Sequence, residues 1–237
     1  MKKTILLIVF LFIFSFVLTG CGDRFENNIL LKKEIKNFFP NTKIEEFKQK
    51  NSTYRIYKCK NKDFEFEVVN ELEANEWFPF IKYSQVFTDY QTKLVTYKEK
   101  EILNLAKEYN IECCFAYKDT YYKPFRQKDF SGSVFIINDS YYQGINNTIE
   151  YDFYFSNFQD VENFLDLLKE IEGLLKPYYP KKNTKHLSMN KELNIFSKIP
   201  EEYSGTLFNE TTLFQDDWSI DYNEIKKKVE LNYKMKN

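Results

Sequence analysis

The chain of 237 residues is poor in the residue types that carry most recognisable chemistry. It has six glycines, one histidine and four cysteines. So few glycines exclude a collagen-like protein and a glycine-rich linker. The 34 Lys and Arg residues nearly balance the 35 Asp and Glu residues, and 43% of the chain is apolar. These values exclude a charge-rich disordered chain and a basic protein that coats nucleic acid, so we expect a folded protein with no nucleic-acid partner.

The common catalytic and cofactor motifs are also missing. The sequence has no G-x-S-x-G, no Walker A motif, no G-x-G-x-x-G and no C-x-x-C. A Ser-His-Asp or Cys-His enzyme would have to use His186, which lies in a polar stretch and is interpreted as an ordinary surface residue. The pair Asp216 and Asp217 has no calcium-loop pattern around it. We therefore expect no metal and no cofactor, and we lean against an enzymatic activity.

The amino terminus has the composition of an export signal. Lys2 and Lys3 precede an apolar run from Ile5 to Leu18 that only Ser15 interrupts. As a helix this run would span roughly 20 Å, which is short of the ~30 Å hydrocarbon core of a bilayer. The run is therefore a poor transmembrane anchor and typical of a signal peptide.

The end of this run resembles a known processing site. Leu18-Thr19-Gly20-Cys21 is similar to the lipobox of bacterial lipoproteins, with a branched apolar residue and two small residues before a cysteine. The resemblance implies cleavage between Gly20 and Cys21 and attachment of acyl chains to Cys21. Because one acyl chain holds a protein only marginally, two or three would make the attachment lasting. An uncleaved signal anchor and a signal cut by ordinary signal peptidase are the alternatives.

The rest of the chain is interpreted as one unit. We expect a signal peptide over 1–20, a lipidated tether over 21–28 and a single extracytoplasmic domain over 29–237. Removing residues 1–20 removes two lysines, so the remaining chain has a formal charge of about −3. The lysine- and phenylalanine-rich composition favours a Gram-positive source. The resemblance to bacterial lipoproteins implies a location at the outer face of the cell membrane.

Apolar periodicity predicts a mixture of helices and strands. A period of two from Tyr54 to Asn70 predicts a hairpin that turns at Asn61-Lys62, with Lys60 opposite Asp63. In four segments the apolar residues recur with the spacing of a helix. In five more segments they recur with the spacing of a strand. Together they predict an α+β fold, an antiparallel sheet with helices packed on one face. The predicted helices are 29–39, 98–109, 158–175 and 222–233, and the further predicted strands are 111–117, 133–138, 148–155, 193–196 and 206–208.

The cysteines left after lipidation are odd in number. A disulfide between Cys59 and either Cys113 or Cys114 is one interpretation, because disulfides persist outside the cell membrane. The other is that all three are small buried apolar residues.

Aromatic residues, at 19% of the chain, are the one compositional excess. Three tyrosine doublets fall in predicted loops or helix ends and are candidates for a binding surface, because Tyr offers a large contact area with a polar tip. A genome rich in A and T would produce the same excess without any function. The doublets are Tyr121-Tyr122, Tyr141-Tyr142 and Tyr178-Tyr179, and Trp77, Phe78, Phe80 and Tyr83 form a further cluster.

The sequence thus predicts a membrane-anchored lipoprotein whose domain is a non-enzymatic binding module with a protein or glycan partner. The alternative is a hydrolase that acts on wall glycan or peptide through a pair of carboxylates. A cleft that holds two carboxylates about 5 to 10 Å apart between aromatic walls would favour the hydrolase.

Overall fold

A computed structural model describes most of the chain from Asn28 onwards. The described residues are 28–51, 53–74, 82–115, 132–139, 148–180, 182–197, 206–213 and 221–236. The predicted signal peptide and Cys21 lie outside them, as do Tyr121, Tyr122, Tyr141 and Tyr142.

The described residues form four α-helices and nine strands in two sheets, and the α+β class is confirmed. In chain order the elements are α1 (Asn28–Phe38), β1 (Lys43–Asn51), β2 (Tyr54–Lys60), β3 (Glu65–Ala74), β4 (Lys82–Thr88), α2 (Tyr90–Glu108), β5 (Glu112–Phe115), β6 (Val134–Asp139), β7 (Thr148–Phe155), α3 (Gln159–Leu175), a 3-10 turn (Lys176–Tyr178), β8 (Asn190–Ser197), β9 (Thr206–Leu213) and α4 (Tyr222–Lys236).

The four-stranded sheet has the order β1-β2-β3-β4 and is antiparallel throughout, as predicted. The β2–β3 hairpin is two residues out of the predicted register, because Lys60 pairs with Glu65 rather than Asp63. The turn takes four residues instead of two. A shift of two keeps every side chain on its predicted face, so Tyr57, Cys59 and Phe66 are buried.

The five-stranded sheet has the order β5-β6-β7-β8-β9 and mixes orientations. The β5–β6 and β7–β8 pairs are parallel, whereas β6–β7 and β8–β9 are antiparallel. A parallel pair needs a crossover between its strands, and α3 lies in the crossover from β7 to β8. The division of the strands between two sheets was not predicted.

Both sheets share one hydrophobic core. Alternation along β7 directs Tyr151 and Phe153 towards α3, where the Phe153 ring stacks on that of Phe164 with centroids 4.0 Å apart. The same continuous cluster includes Tyr57 and Phe66 of the four-stranded sheet. Side chains at positions 150, 152 and 154 of β7 therefore lie on the sheet face opposite α3.

Candidate functional site

A cleft opens where three turns of the fold meet. The segment after α1, the β2–β3 turn and the 3-10 turn after α3 contribute its walls, and its volume is about 210 Å³. We call it the turn cleft, and it is lined by Pro40, Asn41, Asn61, Lys62, Asp63, Pro177 and Tyr178. Because small-molecule pockets usually measure about 300 to 1,000 Å³, this cleft suits one unit of a larger ligand.

Local hydrogen bonds hold the β2–β3 wall of the turn cleft in shape. The side-chain oxygen of Asn61 accepts from the backbone N–H groups of Asp63 and Phe64, each at 2.8 Å. Asn61 also donates its own N–H to the carbonyl of Phe64 at 3.1 Å. This Asx-type turn fixes the direction in which Lys62 and Asp63 leave the hairpin.

The wall formed by the segment after α1 depends on an unusual backbone conformation. Asn41 has φ 53°, in the left-handed region that asparagine tolerates better than most residues. It follows Pro40 in the segment after α1, and its side chain is exposed. An exposed amide thus stands at one rim of the cleft.

An aromatic wall extends from the turn cleft towards α2. The ring of Tyr178 lies 6.1 Å from that of Phe64 and 6.1 Å from that of Tyr97, and Tyr97 is 43% exposed. The ammonium group of Lys98 lies 5.0 Å from the Tyr97 ring centroid and 5.6 Å from that of Tyr178. Such a cation above two rings holds them in one orientation before any ligand arrives.

The turn cleft is also tied to the core. Tyr90, at the start of α2, is fully buried and donates its hydroxyl proton to the Tyr178 carbonyl at 2.7 Å. Burial raises the pKa of the Tyr178 phenol well above its ordinary value, and its hydrogen bond to the Asp63 carboxylate raises that pKa further. The phenol therefore remains protonated at neutral pH and is a hydrogen-bond donor.

The charges around this site cancel in pairs. Lys62 and Asp63 are neighbours in the turn, and the Lys98 ammonium lies 2.8 Å from the Glu101 carboxylate. Among the described residues that line the cleft, Asp63 is the only carboxylate. These residues therefore lack the paired-carboxylate geometry of a glycoside hydrolase.

The tyrosine doublet at the end of α3 has two different environments. Tyr178 belongs to the turn cleft, but Tyr179 is only 4% exposed, so the prediction that both lie on a binding surface is wrong for Tyr179. Its hydroxyl donates to the Glu172 carboxylate at 3.0 Å. The two adjacent side chains therefore lie in different surroundings, which a doublet in sequence does not reveal.

Glu172 is the centre of a buried polar cluster between α3 and the five-stranded sheet. It pairs with the Lys191 ammonium and accepts a hydrogen bond from the Tyr151 hydroxyl at 2.8 Å. Lys191 is 3% exposed, and its ammonium lies 4.8 Å from the Tyr179 ring centroid. Burial lowers the pKa of Lys191 to about 8, although the Glu172 carboxylate opposes that change. The cluster is therefore buried between α3 and the five-stranded sheet and joins the two.

A pair of carboxylates lies on the other face of the same sheet. The side-chain amide of Asn194 donates to Asp152 at 2.9 Å and to Glu150 at 3.0 Å, so the two accepting oxygens are no more than about 6 Å apart. Burial raises the pKa of Asp152 to about 6, with a further increase from the charge of Glu192. On this face Tyr154 and Phe196 stack with centroids 4.5 Å apart. Asp152 is only 2% exposed, and it does not line the turn cleft.

The three described cysteines are free thiols, so the candidate disulfide is not formed. Cys59 lies in β2 of the four-stranded sheet, whereas Cys113 and Cys114 lie in β5 of the five-stranded sheet. The Cys59 thiol donates to the carbonyl of Tyr57 at 3.5 Å. The interpretation as small, largely buried side chains fits these positions.

His186 is less exposed than its polar sequence context indicates. Its Nδ1 lies 3.1 Å from a carboxylate oxygen of Glu34 in α1, and its side chain is 11% exposed. Thr184 donates to the same carboxylate at 3.0 Å. His186 therefore joins the loop before β8 to α1.

Within the part of the chain that the structure describes, no group of three or more His, Cys, Asp or Glu side chains has the arrangement of a metal site. Among the same residues, no helix is both long enough and apolar enough to cross a membrane.

This site is predictable from the sequence only in part. The sequence predicts the Asn61-Lys62 turn and marks Tyr178 as a candidate for a binding surface, but nothing in the spacing links them to Tyr97 or to the segment after α1. Comparison with family models, with curated proteins and with solved structures finds no match to the chain.

Proposed function

We propose that this protein is a lipid-anchored extracytoplasmic lipoprotein whose domain binds a ligand without transforming it. The lipobox-like sequence that ends at Cys21 supports the anchor. The single observation that carries the binding function is the turn cleft, which combines a preformed aromatic wall with one carboxylate.

The chemistry of the cleft favours a neutral glycan as the ligand. Its volume of about 210 Å³ suits one sugar ring of a longer chain. Tyr97 and Tyr178 offer flat rings to the apolar face of a sugar, and Asp63 and Asn41 offer polar groups for hydroxyl or amide contacts. Since Lys62 and Lys98 are balanced by Asp63 and Glu101, no net charge selects an acidic or basic ligand.

Calorimetric titration with a β-1,4-linked tetramer of N-acetylglucosamine tests this ligand class. We expect saturable binding, and at least tenfold weaker binding in Tyr97→Ala, because the exposed ring supplies contact area. Tyr54→Ala is the matched control, since Tyr54 lies on a different part of the surface. Its ring centroid is 5.4 Å from the ammonium group of Lys50, so it too is a tyrosine beside a lysine. Equal affinity of both variants, or saturable binding of a peptide but not of the sugar, would contradict the proposal.

Incorporation of labelled palmitate tests the anchor. We expect label in the wild-type protein and in Cys113→Ala, and none in Cys21→Ala. Label in all three proteins would show that Cys21 is not the attachment site.

A hydrolase is the second candidate, and the Glu150–Asp152 pair is the observation that favours it. An oxygen separation of no more than about 6 Å and an Asp152 pKa near 6 suit a general acid beside a second carboxylate. Release of sugar ends from cell-wall glycan by the wild type, lost in Asp152→Asn, would support this function. Binding of the tetramer without any release would support the binding module.

A further inference from the structure

The outer face of α1 has an unusual combination of side chains. Ile29 is 77% exposed and Leu30 is 49% exposed at the first turn of the helix. Lys33 and Lys36, one and two turns further along, are exposed on the same side. We call these four residues the α1 face.

The one acidic side chain of this helix is engaged elsewhere. Glu34 accepts hydrogen bonds from Thr184 and interacts with His186 in the loop before β8. The α1 face therefore presents two apolar side chains and two ammonium groups, although the exported chain as a whole carries about −3.

The α1 face also stands close to the proposed lipid attachment site. Asn28 follows Cys21 by seven residues. A fully extended chain spans at most ~3.6 Å per residue, so the start of α1 lies within about 25 Å of the anchored residue.

We propose that the α1 face lies against the anionic outer leaflet of the membrane to which Cys21 is anchored. Ile29 and Leu30 enter the headgroup region, and Lys33 and Lys36 contact lipid phosphates. This inference rests on the proposed lipidation at Cys21. It assigns an orientation to the domain, with α1 towards the bilayer.

Quenching of tryptophan by brominated lipid tests the contact in the lipidated protein. The protein is reconstituted in vesicles of phosphatidylglycerol and phosphatidylcholine as the variants Leu30→Trp and Leu231→Trp. Leu231, in α4, is 60% exposed and has lysine neighbours, which makes it a matched control. After subtraction of the wild-type signal, we expect at least threefold stronger quenching at position 30 than at position 231.

A second variant tests the role of charge. Lys33→Glu combined with Lys36→Glu should reduce the quenching at position 30 at least twofold, since each lysine near an anionic surface contributes to attraction. Vesicle flotation separates the two proposals. If the wild-type protein does not float with vesicles, the anchor is wrong. If it floats but positions 30 and 231 are quenched equally, the α1 face does not contact the membrane.

Discussion

At the scale of single residues, Asp152 links burial to the pH dependence of stability. Burial raises its pKa to about 6, whereas an ordinary aspartate titrates near 3.8. Between these values the folded protein binds more protons than the unfolded chain. The contribution of Asp152 to the free energy of unfolding is therefore fully present below about pH 4 and is lost as the pH rises through 6.

Asp152→Asn should remove this part of the pH dependence. From pH 4.5 to pH 7, we expect the free energy of unfolding of the wild type to fall by about 2 kcal/mol more than that of the variant. Urea unfolding at the two pH values measures the difference. Asp166→Asn, at an exposed position of α3, is the control and should follow the wild type. An identical pH dependence in wild type and Asp152→Asn would contradict the prediction.

Lys191 and Glu172 depend on each other because both are buried. Lys191→Met would leave the Glu172 carboxylate without its cation in the core. We expect a loss of about 3 to 5 kcal/mol in the free energy of unfolding. In the double variant Lys191→Met, Glu172→Gln, a neutral amide can still accept from Tyr151, so much of the loss should be recovered. Denaturant titration of the single and double variants checks this, and an additive loss would show that the two residues are not coupled.

At the scale of elements, the β2–β3 turn connects local structure with the proposed binding site. Asn61→Ala removes the acceptor for the N–H groups of Asp63 and Phe64. We expect a loss of about 1 to 3 kcal/mol in the free energy of unfolding, together with weaker binding of the glycan tetramer. Thermal unfolding and calorimetry measure the two effects. An unchanged affinity would show that the position of Asp63 does not matter for the ligand.

The elements also show which parts of the fold follow from sequence. Strand β7 and helix α3 match their predicted bounds closely, because both have long, regular apolar periods. Helix α2 begins eight residues earlier than predicted. Its first two turns carry Tyr90, Leu94 and Val95, whose burial depends on packing against the sheets rather than on a clear local pattern.

The candidate site was less predictable than the elements. The alternation of apolar and polar residues predicts which face of the β2–β3 hairpin is buried. Because side chains alternate with a period of two, a two-residue error in register leaves that face unchanged. No local pattern could show that Pro40, Asp63 and Tyr178 meet, because they come from segments far apart in the chain. The lipobox-like sequence is the opposite case, since its evidence is entirely local and it lies outside the described residues.

At the scale of the whole molecule, the two sheets share one continuous core. Phe164 is central to it, because its ring contacts both Phe153 and Phe135. We expect Phe164→Ala to lower the free energy of unfolding by about 3 to 5 kcal/mol. The free energy of opening that protects the backbone amides from exchange should fall by the same amount at Tyr57 in β2 and at Phe153 in β7. Hydrogen exchange measures both, and a decrease confined to the five-stranded sheet would show that the sheets unfold separately.

The thiols of the described core bear on how the protein matures. Burial raises the pKa of Cys59 to about 12 and also raises those of Cys113 and Cys114, so few thiolates exist at neutral pH. Oxidation and disulfide exchange proceed through the thiolate. The described fold therefore contains no disulfide that an oxidant would have to form or that a reductant could break.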